Sequence, residues 1–359
     1  MKRRQLWLLP ALLAGPARAA DDGIRRGRPL AFARDHRAHL GARTEWWYAT
    51  GWLGRPEAPT HGFQVTFFRS RTGLAEASGS RFAARHLLFA HAAVTDLGVQ
   101  RHRHDQRIAR WSGAGPTGGA AASSTDTAVT LGRWRLLREA AENGGSLYRA
   151  EVDAGPAFTL DLRLRSTQPV LLQGDAGFSR KGPQEAQASH YYSQPQLAVD
   201  GRVGSIAVSG MAWLDHEWSD EILHPDAVGW DWIGINLFDG SALTAFRLRR
   251  ADGSALWAGG SHRPAGGASR AFAPAEVNFG AGRRWSSPAT GASYPVQWQI
   301  DTPAGRHTLR ALMDSQELDS RGSTGTVYWE GLSELLDSGG RRIGLGYLEM
   351  TGYAGRLRL

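Results

Sequence analysis

Residues 210–240 read GMAWLDHEWSDEILHPDAVGWDWIGINLFDG and hold the densest chemistry in the chain. Apolar and polar side chains alternate on both sides of the turn-rich segment around Pro225, and alternation with period two is typical of β-strands. The pattern predicts strands over residues 204–213 and 229–237, with residues 213–219 also extended. Carboxylates and a histidine among large aromatic side chains indicate a desolvated site, where carboxyl pKa values rise.

Similar runs extend outward from this segment in both directions. They cover residues 44–53, 61–69, 85–96, 128–137, 147–153 and 158–166 before it, and 242–249, 296–300, 307–313, 327–334 and 342–353 after it. The runs are short, turn residues separate them, and no convincing amphipathic helix exceeds two turns. The sequence therefore predicts an all-β protein of antiparallel meanders, closed into barrels or sandwiches because closure removes exposed strand edges.

The N-terminus has the pattern of an export signal. Lys2, Arg3 and Arg4 precede a short apolar run at residues 6–13, and Ala17-Arg18-Ala19 matches a signal-peptidase site. We expect residues 1–20 to be a signal peptide and the mature chain to be periplasmic or secreted. No stretch is long enough to span a bilayer, and the absence of cysteine excludes disulfides and a lipoprotein anchor.

The charge pattern does not indicate a nucleic-acid partner. The formal net charge is +8, and removal of the four basic residues of the predicted signal lowers it to +4. Arginines alternate with apolar residues, as in residues 246–249, which is typical of solvated strand faces. The exported remainder is larger than one core usually serves, so we predict two domains, at residues 21–197 and 198–359.

The alternation separates the polar residues of residues 213–219 onto two faces. Trp213, Asp215 and Glu217 share one face, and Leu214, His216 and Trp218 share the other. In the next predicted strand Asp231, between Trp230 and Trp232, has the parity of apolar residues that look interior. We expect His216, Trp218 and Asp231 to face inward together, with His216 or an arginine as the partner that a buried acid needs.

Three interpretations of these residues remain open: acid catalysis, a structural role, and ligand binding without catalysis. As an acid catalyst, a neutral Asp231 carboxyl would protonate an alkene, His216, Glu217 or Asp215 would orient water or act as the base, and tryptophan faces would stabilise the cation. As structural groups, Asp215, Glu217 and Asp231 would instead bind backbone amides or arginines.

Further candidates lie outside this stretch. Glu45 shares a strand face with Trp47, where an inward acid could bind a ligand or form a salt bridge with a neighbouring strand. His190, Tyr191 and Tyr192 supply possible hydrogen-bond partners over a pocket. Glu330 and Glu349, in YWE and YLE, are interpreted as structural.

A metal site is a lesser alternative. The segment HEWSD at residues 216–220 imitates the start of the zinc motif His-Glu-x-x-His, with Asp220 in place of the second histidine and His224 four residues further on. The motif works only on a helix, and this segment is a poor helix former. The chain also lacks a Gly-x-Ser-x-Gly elbow and dinucleotide or nucleotide loops, which argues against serine hydrolases and nucleotide chemistry.

An ordered set of motifs resembles the AttH-like and carotenoid 1,2-hydratase (CrtC-type) family, whose exported branch is labelled as secreted hydrolases. The set comprises EWWY (45–48) with Gly51, GFQVTFFR (62–69), HYYS (190–193) with PQL (195–197), GMAWLDHEWS (210–219), GWDW (229–232) with DG (239–240), Trp285, SP (287–288), YP (294–295), YWEG (328–331) and GYLEMTGY (346–353). These motifs span nearly the whole mature chain.

The resemblance implies two lipocalin-like barrels packed side by side and apolar, isoprenoid or lipid-like ligands. It also implies hydration of C=C bonds or ring closure, without a cofactor. We expect an apolar ligand to contact the aromatic and polar side chains Trp213, Trp218, Trp230, Trp232, His190, Tyr191, Tyr192, Glu45 and Trp47. The alternative is a non-catalytic lipid-binding or chaperone module that serves an ABC-type export system.

Overall fold

A computed structural model of the protein describes residues 23–116, 118–142, 144–221 and 223–357. Across these ranges the chain forms β-strands and two short 3₁₀ helices, Arg34–His36 and Pro274–Glu276, with no α-helix. The prediction of an all-β fold is confirmed. The predicted signal peptide, residues 1–20, lies outside the described residues.

The first sheet contains thirteen antiparallel strands. They are β1 (Thr44–Arg55), β2 (Ala58–Arg71), β3 (His86–Asp96), β4 (Arg101–Trp111), β5 (Ala120–Ala122), β6 (Ala128–Leu131), β7 (Trp134–Ala140), β8 (Ser146–Asp153), β9 (Thr159–Arg165), β10 (Leu171–Leu172), β11 (Phe178–Arg180), β12 (Ala188–Val203) and β13 (Ile206–Ser219). Their order is β4-β3-β2-β1-β13-β12-β9-β8-β7-β6-β5, with β10 and β11 also paired to β12. The edge strand β4 contacts β5 and β6, so the sheet nearly closes into a barrel.

The second sheet contains ten strands, and a separate hairpin accompanies it. The strands of this part are β14 (Gly229–Leu237), β15 (Ala242–Arg249), β16 (Ala255–Arg263), β17 (Arg270–Phe272), β18 (Asn278–Ala281), β19 (Arg284–Ser286), β20 (Ser293–Pro295), β21 (Gln297–Thr302), β22 (Gly305–Ala311), β23 (Glu317–Ser320), β24 (Thr326–Leu336) and β25 (Arg342–Met350). The sheet order is β17-β16-β15-β14-β25-β24-β22-β21-β18, with β23 on β24 and the hairpin formed by β19 and β20.

The change from one sheet to the other falls between Ser219 and Gly229. The predicted boundary at residues 197 and 198 lies inside β12, whose two halves both pair within the first sheet. Strand β13 lies between β1 and β12 and is hydrogen-bonded to both. The expectation that residues 210–219 begin a second unit is therefore wrong, because the partners of β13 are strands of the first sheet.

The three largest apolar clusters of the described residues hold the fold together, and two smaller ones accompany them. One fills the interior of the first sheet and another fills the interior of the second sheet. The third lies between the sheets and includes Trp52, Trp213, Trp232 and Tyr347. The sheets approach closely at Gly62, where a Cβ atom would lie 2.6 Å from the Tyr347 hydroxyl.

Candidate functional site

A cavity of about 340 Å³ lies between the two sheets. Strands β1, β2, β3 and β13 form one wall, and β14, β15, β24 and β25 form the opposite wall. The aromatic lining residues are Trp46, Tyr48, Phe68, Phe89, Tyr191, Trp230, Trp232, Phe246 and Tyr328. The carboxyl-bearing lining residues are Glu45, Asp215, Glu217, Glu221, Glu330 and Glu349. An apolar pocket with a few converging polar groups is the usual form of a small-molecule site.

Strand alternation explains which side chains reach this cavity. In β13, Asp215 and Glu217 face the cavity, whereas Leu214 belongs to the core of the first sheet. In β14, Trp230 and Trp232 face it, whereas Ile233 belongs to the core of the second sheet. The predicted separation of the polar residues onto two faces is present, and the cavity lies on the face of Asp215.

Asp215 is buried and held by three hydrogen-bond donors. The Tyr191 hydroxyl donates to Oδ2 at 2.7 Å, and Ser193 Oγ and Trp213 Nε1 donate to Oδ1 at 2.5 and 2.6 Å. Burial raises the pKa of Asp215 to about 7, although these hydrogen bonds oppose the shift. A carboxyl group with this pKa can give and take a proton near neutral pH.

Glu217 has a cation beside it. Lys181 Nζ lies 3.0 Å from Glu217 Oε1, and Ser189 donates a hydrogen bond to the same oxygen. The ammonium also lies 4.6 Å from the centre of the Tyr191 ring and 4.4 Å from that of Phe246. The site thus combines an acid in an ion pair, Glu217, with an acid two residues away, Asp215, that only neutral groups contact.

Glu330 and Glu349 complete the acidic lining from the second sheet. They are direct partners across β24 and β25. Burial raises the pKa of Glu349 to about 7, and the charges of Asp215 and Glu217 add to this effect. Burial and then the charge of Glu349 hold the pKa of Glu330 well above its ordinary value.

Asp231 faces away from the cavity. It is fully buried in the second sheet, where Arg247 Nε lies 2.7 Å and Arg249 Nε 3.5 Å from its Oδ2. The Tyr353 hydroxyl donates to Oδ1 at 2.9 Å. The prediction that Asp231 is buried with an arginine partner is confirmed, but His216 does not contact it.

His216 lies in a buried cluster in the first sheet. Its Nε2 is 2.9 Å from Glu45 Oε1, and its Nδ1 is 2.9 Å from the Tyr192 hydroxyl. Arg69 Nε lies 3.0 Å from Glu45 Oε2. This is the salt bridge with a neighbouring strand, one of the two alternatives that the sequence offered for Glu45. Burial alone would raise the pKa of Glu45, but Arg69 and the two histidines hold it below its ordinary value.

The same cluster contains a possible set of metal ligands. One donor atom each from His39, Glu45 and His216 lies within 4.8 Å of the others, and two imidazoles with a carboxylate suit zinc. Each donor already has a hydrogen-bond partner within the cluster. His39 Nδ1, for example, is 2.8 Å from Glu45 Oε1. The other zinc hypothesis is wrong, because residues 216–219 are extended in β13 and no helix brings His216 and Asp220 to one face.

The predicted inward trio of His216, Trp218 and Asp231 is not brought together. His216 and Trp218 lie in the first sheet, where Trp218 stacks on His39 at 3.5 Å, and Asp231 lies in the core of the second. Of the predicted ligand-binding residues, Tyr191, Trp230, Trp232 and Glu45 line the cavity and Trp213 supports Asp215. The residues Trp47, Trp218, His190 and Tyr192 are buried elsewhere in the first sheet.

Glu330, Glu349 and Lys181 are among the polar cavity residues that were not predicted to belong to a site. Glu330 and Glu349 were interpreted as structural, yet each shares a strand face with a tyrosine, Tyr328 or Tyr347, and this repeated Tyr-x-Glu pattern could have paired them. Lys181 could have been noticed because arginine supplies every other basic residue of the mature chain.

The comparison with protein families identifies the chain. A family model described as AttH-like matches residues 24–353. The chain belongs to the AttH-like family. A solved structure of a protein from Nitrosomonas europaea assigned to AttH is 44% identical, with a TM-score of 0.82, and the match covers 92% of this chain and 99% of that one.

A second solved structure shares the fold of this AttH-like protein at low identity. Kievitone hydratase from Nectria haematococca has a TM-score of 0.66 at 14% identity, over 93% of this chain and 95% of that one. This likeness shows a shared fold, in keeping with the predicted all-β architecture. No curated protein sequence matches the chain. Among the described residues, no helix is long and apolar enough to cross a membrane.

Proposed function

We propose that this AttH-like protein binds an unsaturated, largely apolar small molecule between its two sheets and adds water across a C=C bond. The observation that carries the proposal is the position of Asp215, a buried carboxyl group with a pKa of about 7 in the wall of an aromatic cavity. The fold that the chain shares with a hydratase supports the same class of reaction.

The lining supplies a group for each step of the hydration. The Asp215 carboxyl gives its proton to one alkene carbon, and the faces of Trp230 and Trp232 stabilise the positive charge that develops on the other carbon. Water adds to that carbon and loses a proton to the Glu217 carboxylate. Transfer of this proton from Glu217 to Asp215 restores the starting state.

The test begins with the molecule that the protein itself retains. Ligand extracted from the purified protein with organic solvent is identified by mass spectrometry, and its unsaturated form is incubated with the protein in ¹⁸O-labelled water. Hydration is expected to add one labelled oxygen with wild type and none with Asp215→Asn. A retained ligand that wild type never hydrates would contradict the enzymatic proposal.

The second candidate is a binding module without catalysis. The three hydrogen bonds that Asp215 accepts favour it, because they also suit an acid that only anchors strands β12 and β13. In that case Asp215→Asn lowers stability and wild type shows no turnover. An ABC-type export system remains the partner that we propose for this role.

Export is a separate proposal that rests on residues 1–20. We propose that the mature chain begins after Ala19 or Ala20 and acts in the periplasm or outside the cell. N-terminal sequencing of the protein from the periplasmic fraction tests this, and an intact N-terminus in the cytoplasm would contradict it.

A further inference from the structure

Two acidic side chains lie side by side in the cavity wall of the second sheet. Glu330 of β24 and Glu349 of β25 are directly opposite each other, and both line the cavity. Glu330 is 2% exposed. Two ionised carboxylates at directly opposite positions of an antiparallel pair would destabilise a sheet, so this pair needs a proton or a positive charge to be stable.

Like Asp215, which three hydrogen-bond donors hold instead, Glu330 and Glu349 have no counter-ion, whereas other buried acids of the two sheets do. Glu45 has Arg69, Glu217 has Lys181, and Asp231 has Arg247 within ion-pair distance. Among the described residues, no lysine, arginine or histidine side chain forms an ion pair with Glu330 or Glu349. A buried acid without a cation must either keep its proton or receive positive charge from a ligand.

Glu330 also has a buried oxygen without a partner. Its Oε1 makes no hydrogen bond, and neither does the buried hydroxyl of Tyr48. The hydroxyls of Tyr48 and Tyr328 are close enough to lower the pKa of Glu330 somewhat, but neither gives Oε1 a hydrogen bond of good geometry. Unsatisfied polar atoms that face a cavity are available to a ligand.

The surroundings favour an organic cation over a metal ion. The rings of Tyr48, Tyr328 and Trp230 line the same part of the cavity wall, and aromatic faces attract ammonium groups. Calcium requires six to eight oxygen ligands, which two carboxyl groups among aromatic rings do not supply.

We propose that Glu330 and Glu349 bind the positively charged end of an amphiphilic amine whose hydrocarbon part occupies the aromatic remainder of the cavity. This proposal rests on the proposed function only in that both place the ligand in the same cavity. It names the substrate class, an unsaturated amine, without depending on the hydration step.

Binding of such a cation is linked to proton release. The groups that act electrostatically on this pair are acidic or phenolic: Tyr48, Tyr328, Tyr347, Asp215 and Glu217. The basic groups of the same lining have other partners, since Lys181 and Arg69 pair with Glu217 and Glu45, and His91 binds the Tyr328 hydroxyl. A bound ammonium favours the ionised carboxylates, so its affinity should increase with pH. A neutral ligand of the same size should show no such dependence.

Three probes of equal chain length test the proposal by isothermal titration calorimetry on the full mature chain. They are octyltrimethylammonium, 1-octanol and octanoate. We expect the ammonium to bind about tenfold more tightly than octanol at pH 8, and octanoate to bind most weakly. The preference for ammonium over octanol should shrink at pH 6.

Glu330→Gln and Glu349→Gln should each remove most of this preference while octanol binds as in wild type. Octanol binding also shows that the variants fold and keep the cavity. Glu57→Gln, a matched change at an exposed acid outside the cavity, should keep the preference. Equal affinity of wild type for ammonium and octanol would overturn the proposal, and so would an unchanged preference in both cavity variants.

Two further outcomes separate this proposal from the hydratase proposal. Binding of Ca²⁺ or Zn²⁺ to the carboxyl pair without any binding of the ammonium would overturn the amine proposal alone. Ammonium binding that depends on Glu330 in a protein without hydration activity would uphold the amine proposal and contradict the hydratase proposal.

Discussion

Arg247 Nε lies 2.7 Å from Asp231 Oδ2 inside the second sheet, directly across the strand pair β14 and β15. Arg249 and Tyr353 bind the same carboxylate, and the Arg247 guanidinium also lies 4.9 Å from the centre of the Trp298 ring. An acid with these partners is a structural link between strands. Its aromatic neighbours suggested a proton donor, but its side chain does not line the cavity.

Asp231→Asn should therefore act on stability. The change leaves a buried guanidinium, Arg249, and a largely buried one, Arg247, short of a counter-ion, and breaking a buried pair in this way typically costs about 3–5 kcal/mol. We expect the free energy of unfolding in urea to fall by this order. Ligand affinity per folded molecule should be unchanged, and a variant with wild-type stability and no ligand binding would show that Asp231 serves the site instead.

Asp215→Asn should act on chemistry. Loss of a general acid typically lowers a rate by about 10²–10⁴-fold, and the amide still fits among the same hydrogen-bond partners. Because the acid must be protonated, hydration by wild type should decline as the pH rises through about 7, the pKa of this group. Rates measured from pH 5.5 to 8.5 check this, with Asp252→Asn, an exposed acid, as the control.

Local alternation was enough to predict individual strands. The predicted bounds of residues 229–237 and 242–249 match β14 and β15, because their inward side chains are apolar at every second position. Strand β4 was missed, since RHRHDQRIARW offers no apolar face. Residues 128–137 were predicted as one strand but form β6 and β7 around a tight turn at Gly132, whose φ is +63°.

Alternation cannot tell which surface a strand face meets. It correctly placed Asp215 and Glu217 on one face of β13 and His216 and Trp218 on the other. It did not show that the cavity lies on the face of the two acids. The face with His216 is buried inside the first sheet, and the cavity exists only because the second sheet packs against the outside of the first. That packing depends on pairing between distant strands, such as β1 with β13, which no local pattern records.

The cluster around Glu45 should be stable without a metal ion. Arg69 already neutralises the carboxylate of Glu45. The ring nitrogens of His39 and His216 already form hydrogen bonds with protein groups. Treatment with EDTA is expected to leave the melting temperature unchanged. Stoichiometric zinc in the purified protein, lost in His216→Ala, would contradict this expectation and revive a metal site at His39, Glu45 and His216.

Buried neutral histidines should make the fold acid-sensitive. Burial lowers the pKa of six of them to about 3 or about 4, namely His36, His86, His91, His102, His190 and His216. In the unfolded chain they titrate near 6.5, so between these values the unfolded state binds more protons and stability falls as the pH decreases. Three acids with raised pKa values, Asp215, Glu330 and Glu349, act in the opposite sense, but they are half as many as the histidines.

We therefore expect the free energy of unfolding to decrease from pH 7 to pH 4.5. Each fully buried histidine contributes at most about 1.4 kcal/mol per pH unit, the value of one proton. Urea unfolding at half-unit steps measures the slope. His91→Gln should reduce that slope by up to about 1.4 kcal/mol per pH unit, the value of one proton. The glutamine side chain can form hydrogen bonds at this position but does not titrate. A slope of zero, or one that rises toward acid, would show that these imidazoles are charged in the folded protein.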